Sequence, residues 1–251
     1  MSQRRNFIGQ LILGSLGLSL PSFKSFKETA PSKKTARPLR ILFQGDSITD
    51  GGRWQNSNDW NHLVGQSYPY LISAKIGYNY PKRNLQFFNR GISGNTVTGL
   101  KARWQKDCLD LKPDILSILV GINDVSAAIQ SGSDAAAVKS YEENYRRILQ
   151  QAREANPSLL LVLCDPFVFN LAKIAPVFDS YSSQVEMREK VVKQLAVEFD
   201  AIHITLGQKF KQAEKLAPVA HWSWDGIHPM PAGHELIAEA WIAATSKILE
   251  I

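Results

Sequence analysis

A serine, an aspartate and a histidine of this 251-residue chain have the residue types and the spacing that suit nucleophilic catalysis. Ser47 follows an apolar run within the sequence GDS, and Asp225 and His228 are three positions apart near the other end of the chain. A serine hydroxyl becomes a good nucleophile only when a base takes its proton and a third group orients that base. Gly226 and Pro229 keep the segment around His228 from forming regular helix, so the carboxylate can fold back onto one ring nitrogen. We therefore predict Ser47 as nucleophile, His228 as base and Asp225 as the group that orients the base.

Three groups are candidates to stabilise the oxyanion that acyl transfer creates. The backbone N–H of Ser47 is one, because it lies where the chain turns after an apolar run. Gly91 offers a second backbone N–H with no side chain in the way, unless it is only a turn residue. Asn123 offers a side-chain NH2, although it could instead cap the following segment. The sequence thus predicts an oxyanion hole made of Ser47, Gly91 and Asn123.

The elements that would position these residues are apolar runs of strand length that alternate with helix-periodic stretches. The predicted strands are Arg40–Gln44, Leu85–Asn89, Ile115–Val120, Leu159–Cys164 and Ala201–Ile204. The predicted helices are Tyr68–Ile76, Val97–Leu111, Ala135–Ala155, Ser183–Phe199 and Ala232–Leu249. Continuous apolar strands alternating with helices predict a doubly wound α/β domain, with a parallel sheet covered on both faces. Ligands of such sheets bind beyond the carboxyl ends of the strands, which is where the polar turns fall.

Four short blocks carry a family resemblance: GDSI at 45–48, NRGISGN at 89–95, GIND at 121–124 and DGIHP at 225–229. In this order they resemble the blocks of the SGNH, or GDSL-type, hydrolases, and the resemblance covers residues 39–250. It implies a flavodoxin-like five-stranded sheet, Ser47 as nucleophile, Gly91 and Asn123 as oxyanion donors, and a mechanism without metal or cofactor. Ile48 replaces the leucine of the family's first block, with no consequence for the chemistry that we foresee.

Several other classes of site find no support in the sequence. No His, Asp or Glu cluster has metal-ligand spacing, and no glycine-rich nucleotide-binding motif follows a predicted strand. The formal net charge is +6, but four basic and one acidic residue place half of it in the first thirty positions. The remaining charge is no strong electrostatic footprint. We therefore expect no metal, no cofactor and no nucleic-acid partner.

The N-terminal segment has the pattern of an export signal. Arg4 and Arg5 precede an apolar run, Phe7–Leu20, which is shorter than the roughly 18–20 residues that span a bilayer. The RRxFI pattern resembles a twin-arginine signal, with an ordinary secretory signal or an uncleaved anchor as alternatives. We predict a signal over about residues 1–30 within an export and leader segment 1–38, a hydrolase domain over 39–251, periplasmic location, and no stable membrane insertion after export.

Two cysteines, Cys108 and Cys164, could pair in an oxidising compartment. Cys164 ends an apolar run, which favours a buried thiol packed as a small hydrophobic group. The sequence leaves the pairing open.

The substrate is less readable than the chemistry. Four of the six tryptophans, including Trp54 and Trp224, flank the predicted catalytic segments, where they could stack on sugar rings or only pack loops. The residues that we select as candidates for substrate contact are Asp46, Arg90, Asn95, Trp54 and Trp224. An exported serine esterase that deacetylates a carbohydrate, with a small-molecule or polysaccharide ester as partner, fits this pattern best. A lysophospholipase or thioesterase-type acylhydrolase, and a non-catalytic carbohydrate-binding protein on the same fold, are the alternatives.

Overall fold

Five parallel strands form the centre of a computed structural model that describes residues 37–54, 62–132 and 134–251. The strands are β1 (Leu39–Gly45), β2 (Leu85–Asn89), β3 (Ile115–Leu119), β4 (Leu160–Cys164) and β5 (Ile202–Ile204). Their order in the sheet is β2-β1-β3-β4-β5, the order of flavodoxin-like folds. The predicted fold class and all five predicted strands are confirmed. The predicted export signal and nearly all of the predicted leader lie outside the described residues, as does Trp60, another of the four tryptophans that flank the predicted catalytic segments.

Helices cover both faces of the sheet. They are α1 (Ser47–Asp50), α2 (Tyr68–Asn79), α3 (Val97–Ala102), α4 (Trp104–Asp107), α5 (Ile122–Ser131), α6 (Asp134–Ala155), α7 (Phe178–Glu198), α8 (Leu206–Ala213), α9 (Val219–Trp222) and α10 (Pro231–Leu249). Short 3₁₀ helices lie at Leu109–Leu111 and Ala172–Val177. One core cluster joins the sheet to α2, α8 and α10, and a second joins it to α3, α6 and most of the apolar face of α7. None of these helices is long and apolar enough to cross a membrane.

The strands form where they are predicted because their side chains are buried on both faces. In β1, Ile41 and Phe43 belong to one core cluster and Leu42 to the other, and all three are fully buried. A strand covered on both faces needs apolar side chains at consecutive positions, so its sequence is a continuous apolar run. The two cysteines follow the same division: Cys108 and Cys164 are free, buried thiols in different clusters, and they form no disulfide.

One predicted helix is broken in the structure. The stretch predicted as a single helix over Val97–Leu111 is divided into α3, α4 and a 3₁₀ turn. Arg103, between α3 and α4, leaves the helical region with φ −114° and ψ 10°. Its guanidinium binds the Asn95 side chain, the Arg90 carbonyl and the Asp107 carboxylate. The periodicity of apolar residues cannot predict this break, because the hydrogen bonds of Arg103 form only in the folded chain.

The last helix is fixed to the sheet by a single large side chain. Trp241 of α10 is fully buried, its ring packs 5.4 Å from that of Phe43, and its Nε1 donates to Ser117 Oγ at 3.1 Å. The indole thereby satisfies its polar group while filling the core. Because α10 begins directly after the segment Asp225–Pro229, this contact also anchors that segment at the carboxyl edge of the sheet.

Candidate active site

A continuous chain of hydrogen bonds joins Ser47, His228 and Asp225. Ser47 is the first residue of α1, which begins immediately after β1. Its Oγ lies 2.8 Å from Nε2 of His228, across 181 residues of sequence. The other ring nitrogen, Nδ1, lies 2.8 Å from Oδ2 of Asp225. Such an arrangement can pass the serine proton to the imidazole while the carboxylate fixes the ring and its tautomer.

The carboxylate of Asp225 is held in place from several directions. Oδ1 accepts hydrogen bonds from the backbone N–H groups of Ile227 and His228, at 2.9 and 2.8 Å. Oδ2 also meets Nζ of Lys173 at 2.9 Å. Burial alone would raise the pKa of Asp225, but the hydrogen bonds from His228, Lys173 and Ile227 outweigh it and hold the pKa well below its ordinary value. Asp225 is therefore ionised throughout the pH range in which a histidine base works.

Ser223, which the sequence reading missed, shapes the loop around these two residues. Its Oγ donates to the carbonyl of His228 at 2.9 Å and accepts from the N–H of Gly226 at 3.1 Å. A backbone bridge between Ser223 and Pro229 closes the same loop. The loop is thus bent by its own hydrogen bonds, and the bend places the Asp225 carboxylate against the ring of His228. The sequence offered only the signal that Gly226 and Pro229 interrupt helix.

The prediction of Gly91 as an oxyanion donor is wrong. Its backbone N–H donates to Oδ1 of Asn89 at 2.8 Å, so it is not available to a substrate. Gly91 instead allows close packing, because a Cβ at this position would lie 2.4 Å from the backbone nitrogen of Asp50. Asn89 was not selected from the sequence, yet its Nδ2 also donates to the carbonyls of Thr49 and Val64. Asn89 therefore ties the turn at Gly91 to the loop after α1.

Gly94, three positions later, has a backbone N–H that is unoccupied, unlike that of Gly91. It stands at the third position of a turn closed by the hydrogen bond from Asn95 N to the carbonyl of Ile92. Its φ of +80° is the value that a type II turn requires there, and glycine adopts it without strain. Within the described chain, no group accepts from the Gly94 N–H. A second hydrogen bond, from Ile92 N to the carbonyl of Gly45, fastens this turn to the end of β1.

Two further donors lie close to this turn, which is hydrogen-bonded to Gly45 and to Asn123. The N–H of Ser47 is the first of α1 and has no acceptor within the helix, nor any other among the described residues. The side-chain amide of Asn123, at the start of α5, donates one hydrogen to the carbonyl of Asn95 at 3.1 Å. Because an amide carries two hydrogens, one remains for a ligand. The structure thus brings Ser47, Asn123 and the turn of Gly94 together at the ends of neighbouring strands.

Asp46 cannot contact a substrate, contrary to its selection from the sequence. Its side chain is 1% exposed, and Oδ1 caps α1 by accepting from the N–H of Ile48 at 3.0 Å. Asp124, the acidic residue next to Asn123, accepts from the N–H of Val97. Burial raises the pKa of each carboxyl to about 7, and the charge of Asp124 adds to the effect on Asp46. Both buried carboxyls therefore stabilise backbone near the site: Asp46 at the start of α1 and Asp124 at the start of α3.

Two other candidates for substrate contact also have structural partners. Oδ1 of Asn95 accepts from Nε of Arg103 at 2.8 Å, and its carbonyl accepts from Asn123. Arg90 lies half-buried, with Nη1 donating to the carbonyl of Asn89 at 3.2 Å. Asn95 therefore acts as a connection between loops, and Arg90 lines their edge.

The two tryptophans selected from the sequence are exposed, as a substrate platform requires. Trp54 is 55% exposed, and Trp224 is 63% exposed. The ring of Trp224 stacks on that of His228, with centroids 6.0 Å apart and planes inclined by 24°. One face of Trp224 is therefore turned toward the imidazole, and much of its remaining surface is open to a ligand. No group of three or more potential metal-binding side chains occurs among residues 37–54, 62–132 and 134–251.

Comparison with known proteins identifies relatives of the chain. Residues 43–236 match the GDSL-like lipase/acylhydrolase family. An acetylxylan esterase of Geobacillus stearothermophilus is 32% identical over 210 residues, which cover 81% of this chain and 92% of that protein. A structure of a catalytic mutant of that esterase superposes with a TM-score of 0.73, covering 84% of this chain and 96% of the other at 29% identity.

Two further relatives extend the comparison. A structure from Parabacteroides merdae described as a GDSL-like lipase gives a TM-score of 0.77 at 35% identity, covering 84% of this chain and 96% of the other. An uncharacterized lipoprotein of Bacillus subtilis is 29% identical over 133 residues, which cover 51% of this chain and 49% of that protein.

Replacing Asp46 by Asn should make the protein's stability less sensitive to pH. The pKa of Asp46 is raised in the folded state, so ionisation opposes folding, and stability is lost as pH rises from about 4 through about 7. Asn keeps the oxygen that caps α1 and removes the charge. We expect the free energy of unfolding of Asp46→Asn, measured in urea, to gain on the wild type between pH 5 and pH 8, with about 1.4 kcal/mol for each unit of pKa shift removed. Asp110→Asn, at an exposed position, is the control, and equal curves for Asp46→Asn and wild type would contradict the prediction.

Proposed function

This chain belongs to the GDSL-like lipase/acylhydrolase family and is a carboxylic ester hydrolase, and from that premise we propose that it is an exported serine esterase that deacetylates a carbohydrate. The observation that carries the proposal is the hydrogen-bonded chain from Ser47 through His228 to Asp225. It lies where the loops after β1 and β3 meet, which is the ligand crevice of this sheet topology.

In the first step, the Oγ of Ser47 attacks the carbonyl carbon of the ester. Nε2 of His228 takes the hydroxyl proton, and Asp225 stabilises the imidazolium that forms. The tetrahedral intermediate collapses when His228 returns the proton to the leaving alcohol oxygen, and the acyl group remains on Ser47. Water then enters, and His228 removes its proton as the water oxygen attacks the acyl-serine carbonyl carbon. When this second tetrahedral intermediate collapses, His228 returns the proton to the Oγ of Ser47, and the acid is released.

The charge that develops on the carbonyl oxygen needs donors that are fixed beforehand. We assign this role to the backbone N–H groups of Ser47 and Gly94 and to the side-chain amide of Asn123. Each has a hydrogen that no group of the described chain accepts. Their supports are hydrogen bonds between loops, so the donors are oriented before a substrate binds.

The relative with a known activity supports these assignments. Structures of the Geobacillus acetylxylan esterase are described as catalytic mutants in which a serine, an aspartate or a histidine is replaced. The aspartate and histidine of that enzyme are three positions apart, as Asp225 and His228 are here. The same spacing on the same fold favours the same roles.

The choice of substrate rests on two supports. The relative is an acetylxylan esterase, and the exposed ring of Trp224 lies next to the candidate base, where it can stack on a sugar ring. Lipid esters are the second candidate, because the matched family includes lipases and acylhydrolases. Export is supported by the basic and apolar N-terminal pattern and by the lipoprotein relative from Bacillus subtilis.

Replacing Ser47 by Ala should reduce hydrolysis of p-nitrophenyl acetate to the background rate and leave the urea unfolding curve unchanged. Asp225→Asn should cost up to about 10⁴ in kcat, because the ring would lose the partner that fixes its tautomer. A fluorophosphonate probe should label the wild type and not Ser47→Ala. Full activity in Ser47→Ala would refute the assignment of Ser47 as the nucleophile. A wild type that neither reacts with the probe nor hydrolyses esters would favour the alternative of a non-catalytic carbohydrate-binding protein.

Replacing Asn123 by Ala should lower kcat by about 10²–10³ with little change in KM, because the lost hydrogen bond forms chiefly in the transition state. Asn144→Ala on α6 controls for the general effect of losing an amide. A loss confined to KM would show that Asn123 binds the ground state and not the oxyanion.

A substrate panel separates the two substrate classes. Acetate release from acetylated xylo-oligosaccharides and other acetylated polysaccharides should be measured beside p-nitrophenyl esters of increasing chain length. We expect the highest kcat/KM for acetylated sugars and a decline beyond the acetyl group. Activity that rises with acyl length, with no acetate released from sugars, would transfer the proposal to lipid esters.

A further inference from the structure

The carboxylate that orients the base has a cation on the same oxygen. Oδ2 of Asp225 lies 2.8 Å from Nδ1 of His228 and 2.9 Å from Nζ of Lys173. Lys173 belongs to the 3₁₀ helix Ala172–Val177, far from Asp225 in the sequence. Its side chain is 59% exposed, whereas the carboxylate is almost fully buried. A serine, histidine and aspartate suffice for the chemistry, so the lysine is an addition to the site.

Backbone contacts fix Lys173 at this position. The N–H of Phe169 donates to the carbonyl of Gly226 at 2.9 Å, which joins the two loops directly. Gly226 has φ +93°, and a Cβ there would lie 2.7 Å from the carbonyl oxygen of Leu171. Ala172 has φ +48°, a left-handed conformation that is strained for a residue with a Cβ. The surrounding contacts therefore hold the chain in a strained conformation immediately before Lys173.

We propose that Lys173 is a positioning residue that acts through Asp225: it holds Oδ2 in line with His228 and weakens the attraction of the carboxylate for the protonated ring. This inference rests on the proposed function, because it assigns His228 as the base. Its consequence is that the imidazole stays neutral, and able to accept the Ser47 proton, at lower pH than a carboxylate alone would allow.

The expected size of the effect follows from the charges. Without Lys173, the protonated ring faces a full negative charge; with it, the carboxylate and the ammonium largely cancel. The interaction between two charges is weak in water and stronger in a less polar environment. Because Lys173 is more than half exposed, water screens its charge, and we expect the charge to move the midpoint of the titration by no more than about one pH unit.

The other ionisable neighbours of His228 do not supply this charge. His234, on α10, lies beside it, but burial lowers the pKa of His234 to about 4, with a further contribution from His228. His234 is therefore neutral where a histidine base titrates. Asp225, in the same loop, is ionised there, and Ser47 on α1 carries no charge. Lys173, from the 3₁₀ helix Ala172–Val177, is therefore the positively charged group among these described neighbours of Asp225 and His228.

The experiment is an NMR titration of the His228 imidazole in the full-length protein, with Lys173→Met, Lys173→Gln and Lys173→Arg beside the wild type. His228→Gln identifies the resonance among the five histidines. We expect the titration midpoint to rise by about 0.5–1 unit in the Met and Gln variants and to return close to the wild-type value in Lys173→Arg, which restores the charge. The acid limb of kcat/KM should move with it. Lys139→Met, at a 77% exposed lysine paired with Glu143 on α6, should change neither.

The titration separates the two proposals because it does not require turnover. A midpoint that stays in place or falls in folded Lys173→Met and Lys173→Gln would overturn the role of Lys173, whatever the activity. A midpoint that rises in those variants but is not restored by Lys173→Arg would also overturn it, since the charge would not be the cause. A midpoint that moves as expected in a protein without esterase activity would support the effect of Lys173 on His228 and refute the proposed function.

Discussion

The pairing of β1 with β3 is the constraint on which the site depends. The two strands are parallel and in register to their last residues, with Gly45 opposite Leu119, so the loops that follow them leave the sheet at the same level. β2 comes between them in the sequence but lies on the outer side of β1, so no strand separates the two loops. Core clusters on both faces prevent the strands from shifting relative to one another. Ser47 and Asn123 are neighbours because of this pairing.

Hydrogen bonds within one loop fix the position of Asp225, as strand pairing fixes the positions of Ser47 and Asn123. A buried carboxylate is tolerated only where hydrogen bonds and opposite charges compensate for lost hydration. Here two backbone N–H groups, an imidazole and an ammonium group provide that compensation. The two backbone donors belong to the loop that carries His228, so the contacts that keep Asp225 ionised also aim it at the ring. Lys173 is the exception, because it comes from a separate segment and adds charge without fixing the loop's own bend.

The sheet could be predicted from sequence because its determinants are local, whereas parts of the site could not. A strand buried on both faces must be apolar throughout, so β1 to β5 are visible in the sequence as apolar runs. The block NRGISGN holds two glycines, and no local rule tells which N–H remains open. That depends on the Asn89 side chain, which occupies the N–H of Gly91, and on the turn that gives Gly94 its positive φ. Lys173 had no signal at all, because its partner becomes a neighbour only in the folded chain.

The site also contains groups that stability alone would not select. Asp46 and Asp124 are carboxyls whose burial raises the pKa of each to about 7, and Ala172 adopts a left-handed conformation that favours glycine. Each opposes folding, and each persists where the surrounding contacts determine its position.

All three stand next to residues with an assigned role: Asp46 precedes Ser47, Asp124 follows Asn123, and Ala172 precedes Lys173. Asp46 caps α1 and so fixes the helical turn that presents the Ser47 N–H. Asp124 binds the N–H of Val97 and holds the start of α3 against the loop of Asn123. These three residues lower the stability of the fold, and their contacts fix the oxyanion donors near Ser47 and the cation on Asp225. A preorganised site gives up stability in this way.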